Sequence, residues 1–109
     1  YNQSFDLDEV AEPLGYPLTA SIAVSVRQKE LAAIVARIAE LPEVLQAHGL
    51  SGAHDLMVWV VCTDAHDLFR IDAEILAIDG VERTETSLAM GEVIGYRVRP
   101  LLEAARRDQ

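Results

Sequence analysis

Residues 31–44, LAAIVARIAELPEV, and residues 68–81, LFRIDAEILAIDGV, carry apolar side chains at the same five places. Leu31, Ile34, Ile38, Leu41 and Val44 each recur 37 positions later, as Leu68, Ile71, Ile75, Ile78 and Val81. Within each copy, steps of three and four residues lay one stripe along a helix, and the closing valine opens an extended segment. Ahead of the first copy, Thr19 to Val26 alternates: Ala20, Ile22, Val24 and Val26 point one way, Thr19, Ser21, Ala23 and Ser25 the other. That is the period of a strand. Between the copies, Val44 to Leu50 and Leu56 to Thr63 read as two strands about a turn at Gly52 to Asp55, a hairpin.

The first helix is predicted over Gln28 to Leu41, stopped by Pro42. The second is capped by Asp64, has Asp67 in its first turn, and ends at Asp79 and Gly80. Val81 to Met90 is extended again, Gly91 and Gly95 interrupt a further segment, and Pro100 to Arg107 suits an amphipathic turn or two. The chain is therefore one strand–helix–strand unit used twice. Two such units interleave into an α+β, ferredoxin-like βαββαβ fold, a four-stranded antiparallel sheet with two helices on one face.

Residues 18–99 form this domain. Residues 1–17, acidic and closed by Pro13, Gly15 and Pro17, read as a lead-in or linker, and residues 100–109 as a C-terminal extension. The chain does not start with methionine, so the expectation is a piece of a longer polypeptide with something upstream.

Nine basic against eighteen acidic residues give 109 residues a net charge of −9. Such a chain repels phosphate backbones, so DNA contact is expected only through a domain absent from it. Leu56 to Cys62, the longest wholly apolar run, is about one-third of a membrane-spanning helix. No membrane partner is expected, and the cytoplasm is the expected compartment. A single cysteine, Cys62, forbids an internal disulfide and a cysteine-rich zinc module.

Two helices leave one sheet face bare. On the third strand Leu56, Val58, Val60 and Cys62 share one side and Met57, Trp59 and Val61 the other, so either choice leaves apolar groups uncovered. Each large one left in water forgoes about 1.5–3 kcal/mol. A homodimer about a two-fold axis follows, packed sheet to sheet or joined edge to edge, with a terminal extension folded across the face as the alternative cover.

Pro42-Glu43-Val44, Leu50-Ser51-Gly52-Ala53-His54-Asp55-Leu56 and Asp79-Gly80-Val81-Glu82-Arg83-Thr84-Glu85-Thr86-Ser87-Leu88 resemble the effector-binding domain of the Lrp/AsnC (leucine-responsive regulatory protein) family of prokaryotic transcription regulators, over about Leu14 to Met90. The Gly-x-x-Asp turn and the Gly-Val-x-Arg-Thr-x-Thr-Ser run carry most of the likeness. The resemblance implies a helix-turn-helix domain upstream, dimers joined through their sheets, further assembly into octamers, and a small effector, commonly an amino acid, between dimers.

A zwitterionic effector needs donors for its carboxylate and an acceptor for its ammonium. Gly52 allows positive φ and close approach, exposing N–H groups around Ala53 and His54, while Asp55 supplies a carboxylate. The resemblance places Thr84, Thr86 and Ser87 beside the same pocket. It also marks a departure, since the family often has an aromatic residue where this chain has His54; imidazole there makes binding pH-sensitive. Gly52 and Asp55 equally suit a plain hairpin turn, and Thr84 and Thr86 are good strand residues in any case.

No catalytic constellation is visible. His48, His54 and His66 lack metal-site spacing, and neither a metal nor a cofactor is expected. Cys62 reads as a small buried hydrophobe, and Trp59, beside Met57 and Val61, as dimer interface. The rival readings are an enzyme of the dimeric α+β barrel kind, a small oxygenase or isomerase, and an allosteric module of a metabolic enzyme. The inert lining of the third strand argues against acid–base chemistry.

Overall fold

The computed structural model describes residues 14–108, so most of the expected lead-in lies outside the described residues. Eight segments follow: β1 (Leu18–Val26), a 3-10 turn (Gln28–Glu30), α1 (Leu31–Ile38), β2 (Val44–Gly49), β3 (Leu56–Cys62), α2 (Ala65–Leu76), β4 (Val81–Leu88) and α3 (Arg99–Arg107). The strands form one sheet in the order β2-β3-β1-β4, every neighbouring pair antiparallel. This is the ferredoxin-like order that two interleaved strand–helix–strand units generate.

Alternation on β1 and β3 settles the core. Ala20, Ile22, Val24 and Val26 meet Leu56, Val58, Val60 and Cys62, and the stripe residues Ile34, Ile38, Leu68, Ile71, Ile75 and Ile78 close over them. Both helices thus lie on one face, joined by the hydrophobic stripes whose repetition is visible in the sequence.

The first helix is shorter than the predicted Gln28–Leu41. Its opening residues wind as a 3-10 turn, and Arg27 bonds Glu30 at 2.9 Å and Asp79 at 3.3 Å across that turn. At its far end the chain tightens, with Leu41 N–H donating to Ile38, before Pro42 removes the next donor. Leu41 still packs on the core from outside the helix.

The second helix starts as predicted at Asp64. Its carboxylate accepts the Asp67 N–H at 2.7 Å, and Asp67 reaches back to accept the Thr63 N–H at 3.0 Å. This is a reciprocal cap of two orphan donors. Arg70 then ties α2 to Asp67, to Glu74 and, at 2.7 Å, to the buried Glu43 ahead of β2. At the end of the second unit Gly80 has φ +99°, and a β-carbon there would lie 2.1 Å from Glu30 Oε2.

Extended structure stops at Leu88 rather than Met90, because Ala89 donates to Thr19 and pairing then ends. The amphipathic turns expected over Pro100 to Arg107 form a third helix, Arg99–Arg107, which buries none of its own residues. Among the described residues no helix is long and apolar enough to cross a membrane.

Candidate functional site

Residues opposite one another in an antiparallel pair share a face, so register sorts the sheet. Val24 faces Thr84 and Leu56, and Ile22 faces Thr86 and Val58, on the helix side. Ser25 faces Arg83, Ala23 faces Glu85 and Met57, Ser21 faces Ser87 and Trp59, and Thr19 faces Val61, on the open side. Met57 and Trp59 are half-buried there, whereas Val61 is only 3% exposed, so the open face is less bare than the alternation implies.

The β2–β3 loop reaches the end of this open face. Leu50 N–H donates to Asp55 O, and Asp55 N–H to Val24 O, both at 2.9 Å, closing the loop onto β1. The Asp55 carboxylate accepts the Val26 N–H at 2.8 Å with one oxygen and the Gln28 amide at 2.7 Å with the other. Ser51, Gly52 and Ala53 stand exposed, and Gly52 has φ +129°, a conformation that favours glycine.

His54 folds back over the sheet. Its Nδ1 lies 3.1 Å from Ser25 Oγ and its Nε2 3.2 Å from a Glu85 carboxylate oxygen. Nε2–H can donate to the carboxylate, while Nδ1 and the serine hydroxyl form the second hydrogen bond. The array is positional: Ser25 is 9% exposed, so its hydroxyl has little access to a reacting carbonyl.

Of the sequence-predicted residues, the structure brings Gly52, Ala53, His54 and Asp55 together at one corner, with Ser87 further along the same face of β4. Thr84 and Thr86 point to the helix side, where Thr86 joins Ala65, Leu68, Phe69, Asp72 and Leu88 along a separate groove of about 230 Å³. Three residues at the corner escape the sequence reading: Ser25, Arg83 and Glu85. Their signal is the alternation of β4 itself, which sets Arg83, Glu85 and Ser87 opposite to Thr84 and Thr86 once β4 is placed beside β1. Arg83 is exposed and, among the described residues, forms no ion pair, so a cation and an anion stand two residues apart on one edge strand beside exposed backbone N–H groups.

Cys62 lies elsewhere, fully buried at the end of β3, where burial, then Asp67 and Asp64, push its thiol upward. Among the described residues no cluster of three or more His, Cys, Asp or Glu could hold a metal ion.

A ferredoxin-like sheet whose loop, edge strand and open face meet in one polar corner defines an α+β domain with a candidate site for a small molecule. The sequence pattern of the Lrp/AsnC ligand binding domain matches residues 19–98. An uncharacterized HTH-type transcriptional regulator of Pyrococcus furiosus is 31% identical over 100 residues, 90% of this chain and 67% of its own length. Another, of Pyrococcus abyssi, is 37% identical over 75 residues, 68% of this chain and 48% of its own. The chain thus spans about half to two thirds of the curated relatives it matches. Among solved structures, a transcriptional regulator of Neisseria meningitidis in complex with L-methionine superposes with a TM-score of 0.73 at 22% identity, over 93% of this chain and 67% of that one. The chain belongs to the Lrp/AsnC family of transcription regulators and comprises its ligand-binding domain.

Proposed function

We propose that this domain senses a free amino acid at the corner between the β2–β3 loop and β4. One observation carries the reading: Arg83 and Glu85 present opposite charges from the same face of an edge strand, next to His54 and the exposed N–H groups of the loop. Arg83 and the loop amides meet the ligand carboxylate, and Glu85, oriented by His54, meets the ammonium. Asp55, with both oxygens engaged, holds the loop rather than touching the ligand directly. The L-methionine complex of the Neisseria meningitidis regulator supports an amino acid as the ligand class.

The readout is assembly. Met57 and Trp59 pair with their counterparts in a second copy across the open faces, and the ligand corner lies at the margin of that contact, where a further dimer can complete it. Attached helix-turn-helix regions, as in the named relatives, would then be respaced on DNA. A ligand held about 1.4 kcal/mol more tightly by one assembly shifts the balance about tenfold.

The test is a thermal-shift and calorimetric screen of the twenty amino acids on the wild-type chain, Arg83→Gln and Glu85→Gln. At least one amino acid should stabilise the wild type, and each variant should bind it about tenfold more weakly, the worth of one charged hydrogen bond. Equal responses from all three proteins would remove the corner as the site.

A further inference from the structure

The C-terminal arm differs chemically from the body that carries it. From residue 89 to residue 108 it holds Arg97, Arg99, Arg106 and Arg107 against Glu92, Glu103 and Asp108, a net +1; the chain ahead of it holds five basic and fifteen acidic residues, a net −10. Along α3, Val98, Leu101, Leu102 and Ala105 follow the three- and four-residue steps of one stripe, flanked by Arg99 and Arg106. Leu101 is 72% and Leu102 60% exposed, and Met90, Val93, Ile94 and Tyr96 on the approach to α3 are exposed as well. An amphipathic helix with its apolar side in water forgoes the burial that normally stabilises so short a helix.

The groove between α2 and β4 offers the complement. Leu68, Phe69 and Leu88 line it, Phe69 being 72% exposed, and Asp72 and Thr86 supply polar groups. One Asp72 carboxylate oxygen is wholly buried and has no hydrogen-bond partner among the described residues. A buried acceptor left unpaired is costly, and the half-buried Asp72 carboxyl, turned outward to a guanidinium, escapes that cost. The second apolar groove, between α1 and β2, contains Val35, Leu45 and Gln46 but no carboxylate. Charge therefore selects the α2–β4 groove.

We infer that α3 of one copy docks in the α2–β4 groove of a second copy, its Leu101 and Leu102 against Phe69 and Leu88 and an arginine of the Arg99 and Arg106 pair on Asp72. The geometry allows a reciprocal exchange. The arm leaves β4 at Leu88, itself part of the groove, and residues 89–98 extend up to about 33 Å. Two chains meeting near their β4 edges can each give and receive an arm, a self-complementary contact of two-fold kind. It uses the sheet edge and α2, so it is separate from the open-face contact proposed above and does not depend on it.

A cross-link test separates a second copy from the chain's own arm. Two versions of the 109-residue chain, of different mass and both Cys62→Ala, carry Phe69→Cys in one and Leu102→Cys in the other, and are mixed under mild oxidation. A mixed disulfide is expected. Adding Asp72→Arg to the first chain should lower its yield about tenfold, and adding Arg99→Asp with Arg106→Asp to the second should restore it. Circular dichroism confirms that each variant is folded. Three results would overturn the proposal: no mixed product, a yield indifferent to Asp72→Arg, or cross-linking only when both cysteines sit in one chain, which would place the arm on its own groove. Asp72-dependent stabilisation of the wild-type chain by free alkylamines, without mixed product, would assign the groove to a small molecule instead.

Discussion

The Asp55 carboxylate accepts the backbone N–H of Val26 at 2.8 Å, fastening the loop before β3 to the end of β1. Its other oxygen takes the Gln28 amide, so one side chain bridges a loop, a strand and the start of the first helical unit. Asp55→Ala leaves the N–H of the buried Val26 unpaired and should destabilise the fold by about 1–3 kcal/mol in urea unfolding. Asp55→Asn retains an acceptor and should lose less. An alanine variant as stable as the wild type would reduce this bridge to a surface ornament.

Glycine positions separate conformational from steric cost. At Gly52 φ is +129° with nothing within 4 Å of an added β-carbon, so Gly52→Ala bears only backbone strain, about 1 kcal/mol. At Gly80 φ is +99° and the added carbon also meets Glu30 Oε2 at 2.1 Å and Ile34 Cδ1 at 2.9 Å. Gly80→Ala should therefore cost clearly more, by a further 1–3 kcal/mol or so, as the core residue Ile34 is forced to move. The order of the two midpoints in denaturant checks it; reversal would mean that Glu30 and Ile34 yield freely.

Acid stability should depend on Asp67. Its carboxylate is held below the ordinary range first by the Thr63 N–H and then by Arg70. A carboxyl group depressed in the folded state stabilises the protein above its unfolded value, about pH 4, and that contribution is lost as pH falls through the lower folded value. Asp67→Asn removes this proton linkage, so below about pH 4 the variant should lose stability less steeply than the wild type. Unfolding midpoints measured from pH 6 to pH 2 test the slope.

The fold was legible because its two determinants are periodic. The repeat of Leu31 and Val44 as Leu68 and Val81 fixed the helices and the strands they lead into, and Asp64 and Asp67 announced the start of α2. The predicted first helix exceeds the observed one because Gln28 to Glu30 are good helix formers, while the Arg27 contact to Asp79 across that turn is long-range and has no sequence period. The loop half of the candidate site was likewise local, a Gly-x-x-Asp turn. Its other half was not: Ser25, Arg83 and Glu85 join it only through the order β3-β1-β4 and its register, and register also carried Thr84 and Thr86 to the other face.

Charge assignment at the corner predicts which half of the ligand each residue reads. If Arg83 meets the carboxylate, esterifying the ligand should weaken wild-type binding about tenfold and leave Arg83→Gln little changed. If Glu85 meets the ammonium, N-acetylation should show the same pattern against Glu85→Gln. Calorimetry with L-methionine and its two blocked forms completes both cycles. Crossed results, with Arg83 sensitive to acetylation, would reverse the proposed orientation.

Trp59 tests the open face. It stands half-buried opposite Ser21 in the middle of the sheet, between Met57 and Val61 on the same side, and its ring is not part of the core cluster beneath the helices. A cation there costs the core little but would be desolvated without a partner in any sheet-to-sheet dimer, a penalty of several kcal/mol. Trp59→Lys should therefore lose one step of association, with a lower mass by light scattering than the wild type at the same concentration and its far-ultraviolet spectrum intact. Phe69, outside that contact, gives the control: Phe69→Lys should leave the open-face dimer assembled while weakening docking of the arm. Because the two substitutions act on different surfaces, their effects on association should add, and a wild type that stays monomeric at high concentration would deny the open face its partner.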